Sequence, residues 1–252
     1  MTPHGDANAI AAAFREARES EQLVVLEGFH PLKHALRFGA RVDLVATHDP
    51  EELLRLARDH APELEAQITG LSRLLARKDF RRLGPYEPHT GVVSIAHRVG
   101  YEASAILADP QAAPVVLLDE PRHRGNFGAV IRVAAAAGAA GVLNTGSLEP
   151  WHPVVVRGAA GLQFALPLAR IERLPAGAGE RALLVFDPAG DPFVRDPIPP
   201  RALLVFGSER QGVGEELIER AERRLRLPMR EGVSSLNLAT AVAAVLYGLR
   251  LG

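Results

Sequence analysis

The segment VVLLDEPRHRGNFGAVIRVAAAAG, residues 115–138, decides the fold. Residues 115–119 open it as a strand apolar enough to be buried on both faces, which is the habit of parallel sheets. A polar loop bearing glycines, 122–128, leads into an alanine-rich helix over 129–137, and Gly138 can end that helix through a left-handed cap. Strand, glycine loop and helix in this order make one α/β unit. Working outward, strands are expected at 141–144, 182–186, 202–206 and 225–227, with helices at 214–221 and 234–249 and a Pro-rich surface stretch over 187–200. The repeated strand–loop–helix pattern predicts a doubly wound parallel sheet.

Upstream, a helix over 7–18, a strand at 23–26, a helix over 32–38, a strand at 42–46 and helix-like stretches at 50–60 and 71–77 precede a β-rich segment, 91–99. This reads as a small α/β domain over 1–99. Small residues with Pro110 and Pro114 mark a linker over 100–113, and the second domain runs from 114 to 252.

The composition narrows the chemistry. The chain has 252 residues, 47% apolar and 23% charged, the make-up of a globular protein rather than a disordered one. It contains no cysteine, which excludes disulfides, a thiolate nucleophile and cysteine-bound metal. The histidines show no metal-ligand spacing. The apolar runs 114–118 and 202–206 are strand-sized, far short of a membrane span, and the start lacks the basic-then-apolar pattern of a targeting peptide. A cytoplasmic location is expected. Formal net charge is -1, so an RNA partner would have to be met by a local basic face. Only Lys33 and Lys78 among the 29 basic residues are lysine; genomic bias explains this, and phosphate binding by the planar guanidinium is the alternative.

Ligands of open α/β sheets bind outside the carboxyl ends of the strands. Three segments lie there: Asp119 to Arg132 with Arg122, Arg124 and Asn126; Gly207-Ser208-Glu209-Arg210-Gln211-Gly212; and Leu227-Pro228-Met229 followed by Ser234-Ser235-Leu236-Asn237. Taken singly, Gly207 and Gly212 are turn residues, Ser234 a helix cap and Asn126 a loop former. Gathered at one sheet edge they need a shared partner. Gly-Lys-Ser/Thr is absent and the spacing from Gly125 to Gly128 does not fit a dinucleotide fingerprint, so nucleoside-triphosphate and NAD readings are poor.

These three segments, in this order, resemble the three motifs of the SpoU-type (TrmH-like) RNA ribose methyltransferases of the SPOUT superfamily, from about Val115 to Gly252. The stretch Val25-Leu-Glu-Gly28 with the following helix is similar to the small substrate-binding domain that often precedes the catalytic one. The resemblance implies a knotted (trefoil) parallel-sheet domain, S-adenosylmethionine as cofactor, a homodimer, and methyl transfer to a ribose 2′-hydroxyl of structured RNA, rRNA in preference to tRNA. It implies no metal. By position, Phe206, Gly207, Gly212, Leu227, Met229 and Leu236 would hold the cofactor, while Asn126, Arg132, Glu209, Ser235 and Asn237 would form the catalytic centre. The chain departs from the family at Arg157-Gly-Ala-Ala-Gly161, where alanines replace a common serine.

A ribose hydroxyl must lose its proton as it attacks, so such a site has to supply alignment and a proton acceptor. Guanidinium stays protonated, which casts Arg132 as a grip on the neighbouring phosphate rather than a base, with Glu209 fixing its neighbours. Arg73, Arg77, Lys78 and Arg81 form a candidate RNA-binding face on the first domain, and Arg122 and Arg124 a second beside Asn126. Trp151 is expected to be a buried structural residue, with His30, His34, His123 and His152 at the surface. Two other functions fit the same fold, a catalytically silent RNA-binding or assembly factor and a base methyltransferase.

Overall fold

The computed structural model describes residues 6–85, 87–176, 181–193 and 198–251. The chain divides into two compact units, Met1–Val99 with Ala160–Ala165, and Gly100–Ala159 with Leu166–Gly252. The short segment Ala160–Ala165 therefore groups with the first unit, although it lies within the sequence of the second.

In the first unit, helix α1 (Ala7–Glu19) starts where the Asp6 side chain accepts from the Asn8 amide and buries Ile10, Ala11, Phe14 and Ala17 along one stripe. Strand β1 (Leu23–Glu27), helix α2 (Phe29–Arg37), strand β2 (Val42–Thr47) and helix α3 (Pro50–His60) follow. Helix α4 (Glu65–Leu71) runs directly into strand β3 (Ser72–Leu74), and helix α5 (Arg77–Phe80) precedes strand β4 (Val92–His97). The sheet order is β1-β4-β2-β3, with β4 antiparallel to both neighbours and β3 parallel to β2. Residues 71–77 are thus not the expected helix: Leu71 ends α4, residues 72–74 are strand and Arg77 begins α5. Ser72, buried, pairs with Val45, and this tertiary pairing overrides a helix-like composition.

The second unit opens with helix α6 (Ala103–Ala108), so residues 100–113 are not a bare linker. Ile106 and Leu107 are buried, and the buried Arg181 guanidinium donates to the carbonyls of Leu107, Ala113 and Asp109, fastening this segment down. Strand β5 (Val115–Leu118) is buried throughout. Helix α7 (Arg124–Ala137) begins earlier than the glycines suggested and ends at Gly138, whose φ of 77° is the expected left-handed cap. Strand β6 (Gly141–Asn144), helix α8 (Pro153–Gly158) and strand β7 (Leu168–Arg170) come next, the last two not foreseen from sequence. Strand β8 (Leu183–Pro192) extends into the stretch expected to be a surface loop, of which residues 194–197 lie outside the described residues. Strand β9 (Leu203–Phe206), helix α9 (Glu215–Glu219), strand β10 (Arg223–Arg226) and helix α10 (Leu238–Leu251) complete the chain.

The six-stranded sheet has the order β10-β8-β9-β5-β6-β7, parallel at every pairing. After β5 the chain runs outward through β6 and β7, then crosses to the far side for β8 and β9. The switch point is the β5–β9 junction, where loops diverge and a crevice opens at the carboxyl edge. On α7, buried Phe127, Val130 and Ile131 face the core, each contributing about 1.5–3 kcal/mol by burial.

Helices α7 and α8 cross closely at Gly128. A Cβ there would stand 2.6 Å from the Val155 carbonyl oxygen and 2.9 Å from the Gly158 Cα, both backbone atoms with little freedom to move. Gly128→Ala is therefore expected to cost about 1–3 kcal/mol in urea unfolding. At Gly125, one turn earlier, a Cβ would meet nothing within 4 Å, and Gly125→Ala is expected to be neutral or stabilising by up to about 1 kcal/mol. Equal stability of the two variants would contradict this packing.

Candidate functional site

The loop after β9 is folded on itself. Ser208 N–H donates to the Gly212 carbonyl and Gly212 N–H to the Ser208 carbonyl, both at 3.1 Å, while the Gln211 amide donates to Ser208 Oγ. A Cβ on Gly207 would lie 2.0 Å from the Gly212 carbonyl carbon, so only glycine allows this closure. Asp119, at the end of β5, holds the loop from behind: Oδ2 accepts the Gly214 amide and Oδ1 the Thr145 hydroxyl, each at 2.8 Å. Thr145 in turn accepts the Glu120 amide, and Glu120 sits at φ 46°. Asp119 and Thr145 received no role from sequence; the signal available was a carboxylate placed directly at a strand terminus.

In front of this loop lies a cavity of about 480 Å³, within the range of small-molecule sites. Phe206, Gly207, Gly212, Leu227, Met229 and Leu236, the six residues expected to hold a cofactor, all line it. Glu209, Ser235 and Asn237 do so as well. Phe186 and Phe206 stack with ring centroids 4.8 Å apart and form an apolar wall.

Three of the expected catalytic side chains join in a chain of hydrogen bonds. Asn126 Nδ2 donates to Glu209 Oε1 at 2.6 Å, and Asn237 Nδ2 donates to Asn126 Oδ1 at 3.0 Å. Asn237 Oδ1 accepts the amides of Ala239 and Thr240, so it also caps α10. Capping falls to Asn237 and not to Ser234, which corrects the sequence expectation and shortens the last helix to a start at Leu238. Asn126 occupies the first turn of α7, not a preceding loop.

Arg132 does not join this cluster. On α7 it lies about 9 Å along the axis from Asn126 and about 120° around it. It is exposed and makes no hydrogen bond or ion pair to a described residue. Ser235 is exposed too, with its hydroxyl free of described partners.

Of the arginines beside Asn126, Arg122 bonds to Glu120 and to Gln211, while Arg124 is exposed and without a bonded described partner. Burial, and then the Arg124 and Arg157 charges, push the His152 imidazole below its ordinary pKa against the opposing Glu149 charge. His152 caps α8 by accepting the Val154 amide, and Trp151 is buried. In the first unit, Arg77 and Arg81 both pair with Glu87, which they hold below the usual carboxylate range. Arg73 donates to the carbonyls of Gly70 and Ser72, leaving Lys78 as the unengaged member of that set. His30 and His123 are exposed, whereas His34 is half-buried and bonded to the Ala160 carbonyl. Among the described residues no group of His, Asp and Glu is arranged to hold a metal ion, and no helix is long and apolar enough to cross a membrane.

A parallel α/β sheet with a self-closed glycine loop and an Asn–Glu–Asn cluster at its switch point defines the class, and the comparisons give the family. The profile of the SpoU rRNA Methylase family matches residues 113–247, and the chain belongs to that family. It is 33% identical to the 23S rRNA (uridine(2479)-2'-O)-methyltransferase of Streptomyces viridochromogenes, over 92% of this chain and 83% of that one. It is 27% identical to the 23S rRNA (guanosine(2553)-2'-O)-methyltransferase RlmP of Bacillus subtilis, over 94% and 92%. Among solved structures, the AdoMet-bound rRNA methyltransferase from Sinorhizobium meliloti superposes with a TM-score of 0.75 at 25% identity, covering 97% of this chain and 94% of that one.

Replacing Asn237 separates its two duties. Asn237→Ala is expected to lose about 1 kcal/mol of stability in urea through the missing cap, and Asn237→Ser to recover most of it without restoring the bond to Asn126. If Asn237→Ala left stability unchanged, the cap would not be a stabilising contact.

Proposed function

We propose that this chain is an S-adenosylmethionine-dependent RNA ribose 2′-O-methyltransferase acting on rRNA. The observation that carries the reading is the coincidence of the cavity with the Asn126–Glu209–Asn237 cluster at its edge. The cavity fits the cofactor: its volume is suitable, its loop is glycine-closed, and Phe206, Leu227, Met229 and Leu236 offer apolar surface to a nucleoside. When bound, S-adenosylmethionine supplies an electrophilic sulfonium methyl. The 23S rRNA specificity of the relatives at 33% and 27% identity supports rRNA over tRNA, and such a substrate implies a cytoplasmic enzyme.

The protein's share of the chemistry is positional. Glu209 is engaged as an acceptor by the Asn126 amide, which fits a positioning role and not that of a base. Asn126 and Asn237, locked by each other and by the start of α10, present fixed polar groups to a ribose. Arg132 grips the phosphate next to the target ribose and lowers the barrier electrostatically, with a phosphate oxygen or water taking the proton. Because Arg132 stands on another face of α7, we propose a homodimer in which this arginine completes the site of the second copy. Exposed Tyr247 and Leu251, one turn apart on α10, supply apolar surface for that contact.

The reading is tested by incubating the protein with RNA from a strain lacking it and labelled cofactor. Label is expected in dinucleotides that resist alkali, since a 2′-O-methyl group blocks cleavage; label confined to alkali-labile mononucleotides would mean base methylation, and no label would leave a silent RNA-binding factor. Arg132→Lys, which loses the bidentate grip, is expected to lower kcat by about tenfold or more, and Glu209→Gln, which keeps an acceptor for Asn126, by less than that. Arg124→Glu is expected to weaken RNA binding and lower the slope of log affinity against log salt by about one; an unchanged slope would remove Arg124 from the RNA path.

A further inference from the structure

Asp187 is a cavity residue that the sequence motifs do not include. It sits where the β8–β10 ladder breaks: Arg224 pairs with Val185, and the next residue of β10, Leu225, pairs with Asp191, so residues 186–190 have no β10 partner, and of these Phe186, Asp187 and Pro188 line the cavity. Irregularities of this kind re-aim side chains beside active sites. The Asp187 side chain is only 14% exposed. Its Oδ1 is saturated, accepting from Arg224 Nε at 3.0 Å, Arg224 Nη2 at 2.6 Å and the Ala189 amide at 2.8 Å. Its Oδ2 accepts no hydrogen bond from a described residue and lies 3.7 Å from where a Cβ of Gly212, another lining residue, would stand. A half-buried carboxylate oxygen with free lone pairs, aimed along a ligand cavity, is an acceptor in want of a donor.

Resting on the proposed cofactor, we infer that Asp187 is a cofactor-binding residue whose Oδ2 accepts a hydrogen bond from a ribose hydroxyl of S-adenosylmethionine. Two observations favour a neutral hydroxyl in the nucleoside half over the amino-acid ammonium. Arg224 already neutralises the carboxylate, so the site offers a strong acceptor without net negative charge. Asp187 lies in β8 just past its last pairing with β9, two strand positions from β5, which puts it roughly 10 Å from the strand end next to Asn126. With the methyl toward Asn126, both other arms of the sulfonium extend away from it, and the stacked Phe186–Phe206 wall next to Asp187 offers its apolar surface to the nucleoside rather than to a charged amino-acid end. Carboxylates meet ribose diols in this way at other α/β sheet edges.

Calorimetric titration with S-adenosylhomocysteine and with 5′-methylthioadenosine, which has the nucleoside but no amino-acid moiety, tests the inference without turnover. Asp187→Ala and Asp187→Asn are expected to weaken both ligands by about tenfold. The 2′-deoxy and 3′-deoxy forms of 5′-methylthioadenosine identify the donor: removing the contacted hydroxyl weakens binding to the wild type and has no further effect on Asp187→Ala. Arg224→Met, which leaves the carboxylate in place, controls for a merely structural pair and is expected to weaken binding less than Asp187→Ala. Unchanged affinity in a folded Asp187→Ala would overturn the inference, as would a loss for S-adenosylhomocysteine alone, which would place the carboxylate at the amino-acid end. Failure of the wild type to bind either ligand would instead overturn the proposed function beneath it.

Discussion

The hydrogen bonds from Asn237 to Asn126 and from Asn126 to Glu209 hold the site together. They link groups 111 and 83 residues apart in the chain, one from the start of α7, one from the loop after β9 and one from the start of α10. Each partner is fixed independently: Asn126 by a helix whose other face packs into the core, Glu209 by a loop that only glycine lets close, Asn237 by the helix it caps. Rigid elements so arranged can orient a reacting ribose without paying for the ordering at the moment of reaction.

Much of this was legible in the amino-acid sequence, and for identifiable reasons. Strands such as Val115–Leu118 and Leu203–Phe206 are buried on both faces, so a continuous apolar run announces them. The same run places the next polar residues at the carboxyl edge, which is why Asn126, Glu209 and the segment around Asn237 could be grouped before any geometry was known. The six lining residues Phe206, Gly207, Gly212, Leu227, Met229 and Leu236 follow from motif position and do meet at one cavity.

What escaped the sequence depends on partners distant in the chain. Residues 72–74 become a strand only because β2 offers a free edge. The glycines at 125 and 128 suggest a loop, yet the helix starts at Arg124, because Gly128 is needed for the approach of α8 and Gly125 faces open space. Asp119, Thr145 and Asp187 carry no motif; their importance lies in what their carboxylate and hydroxyl oxygens accept from other parts of the chain. The basic face on the first unit looked like a free array in sequence, whereas Glu87 engages two of its arginines. At a net charge of -1, few cations are left without a bonded partner among the described residues, and Arg124 and Arg132, both exposed on α7, are two of them.

The central claim, that the Asn126–Glu209–Asn237 cluster serves ribose methylation of rRNA, is tested most directly in the cell. Ribosomal RNA from a deletion strain, carrying either the wild-type gene or Asn126→Ala, can be digested with nuclease and mapped by mass spectrometry. The account predicts one rRNA nucleotide that gains a methyl group on its ribose with the wild type and lacks it with the variant. A methyl on a base, or the same ribose methyl restored fully by Asn126→Ala, would contradict it.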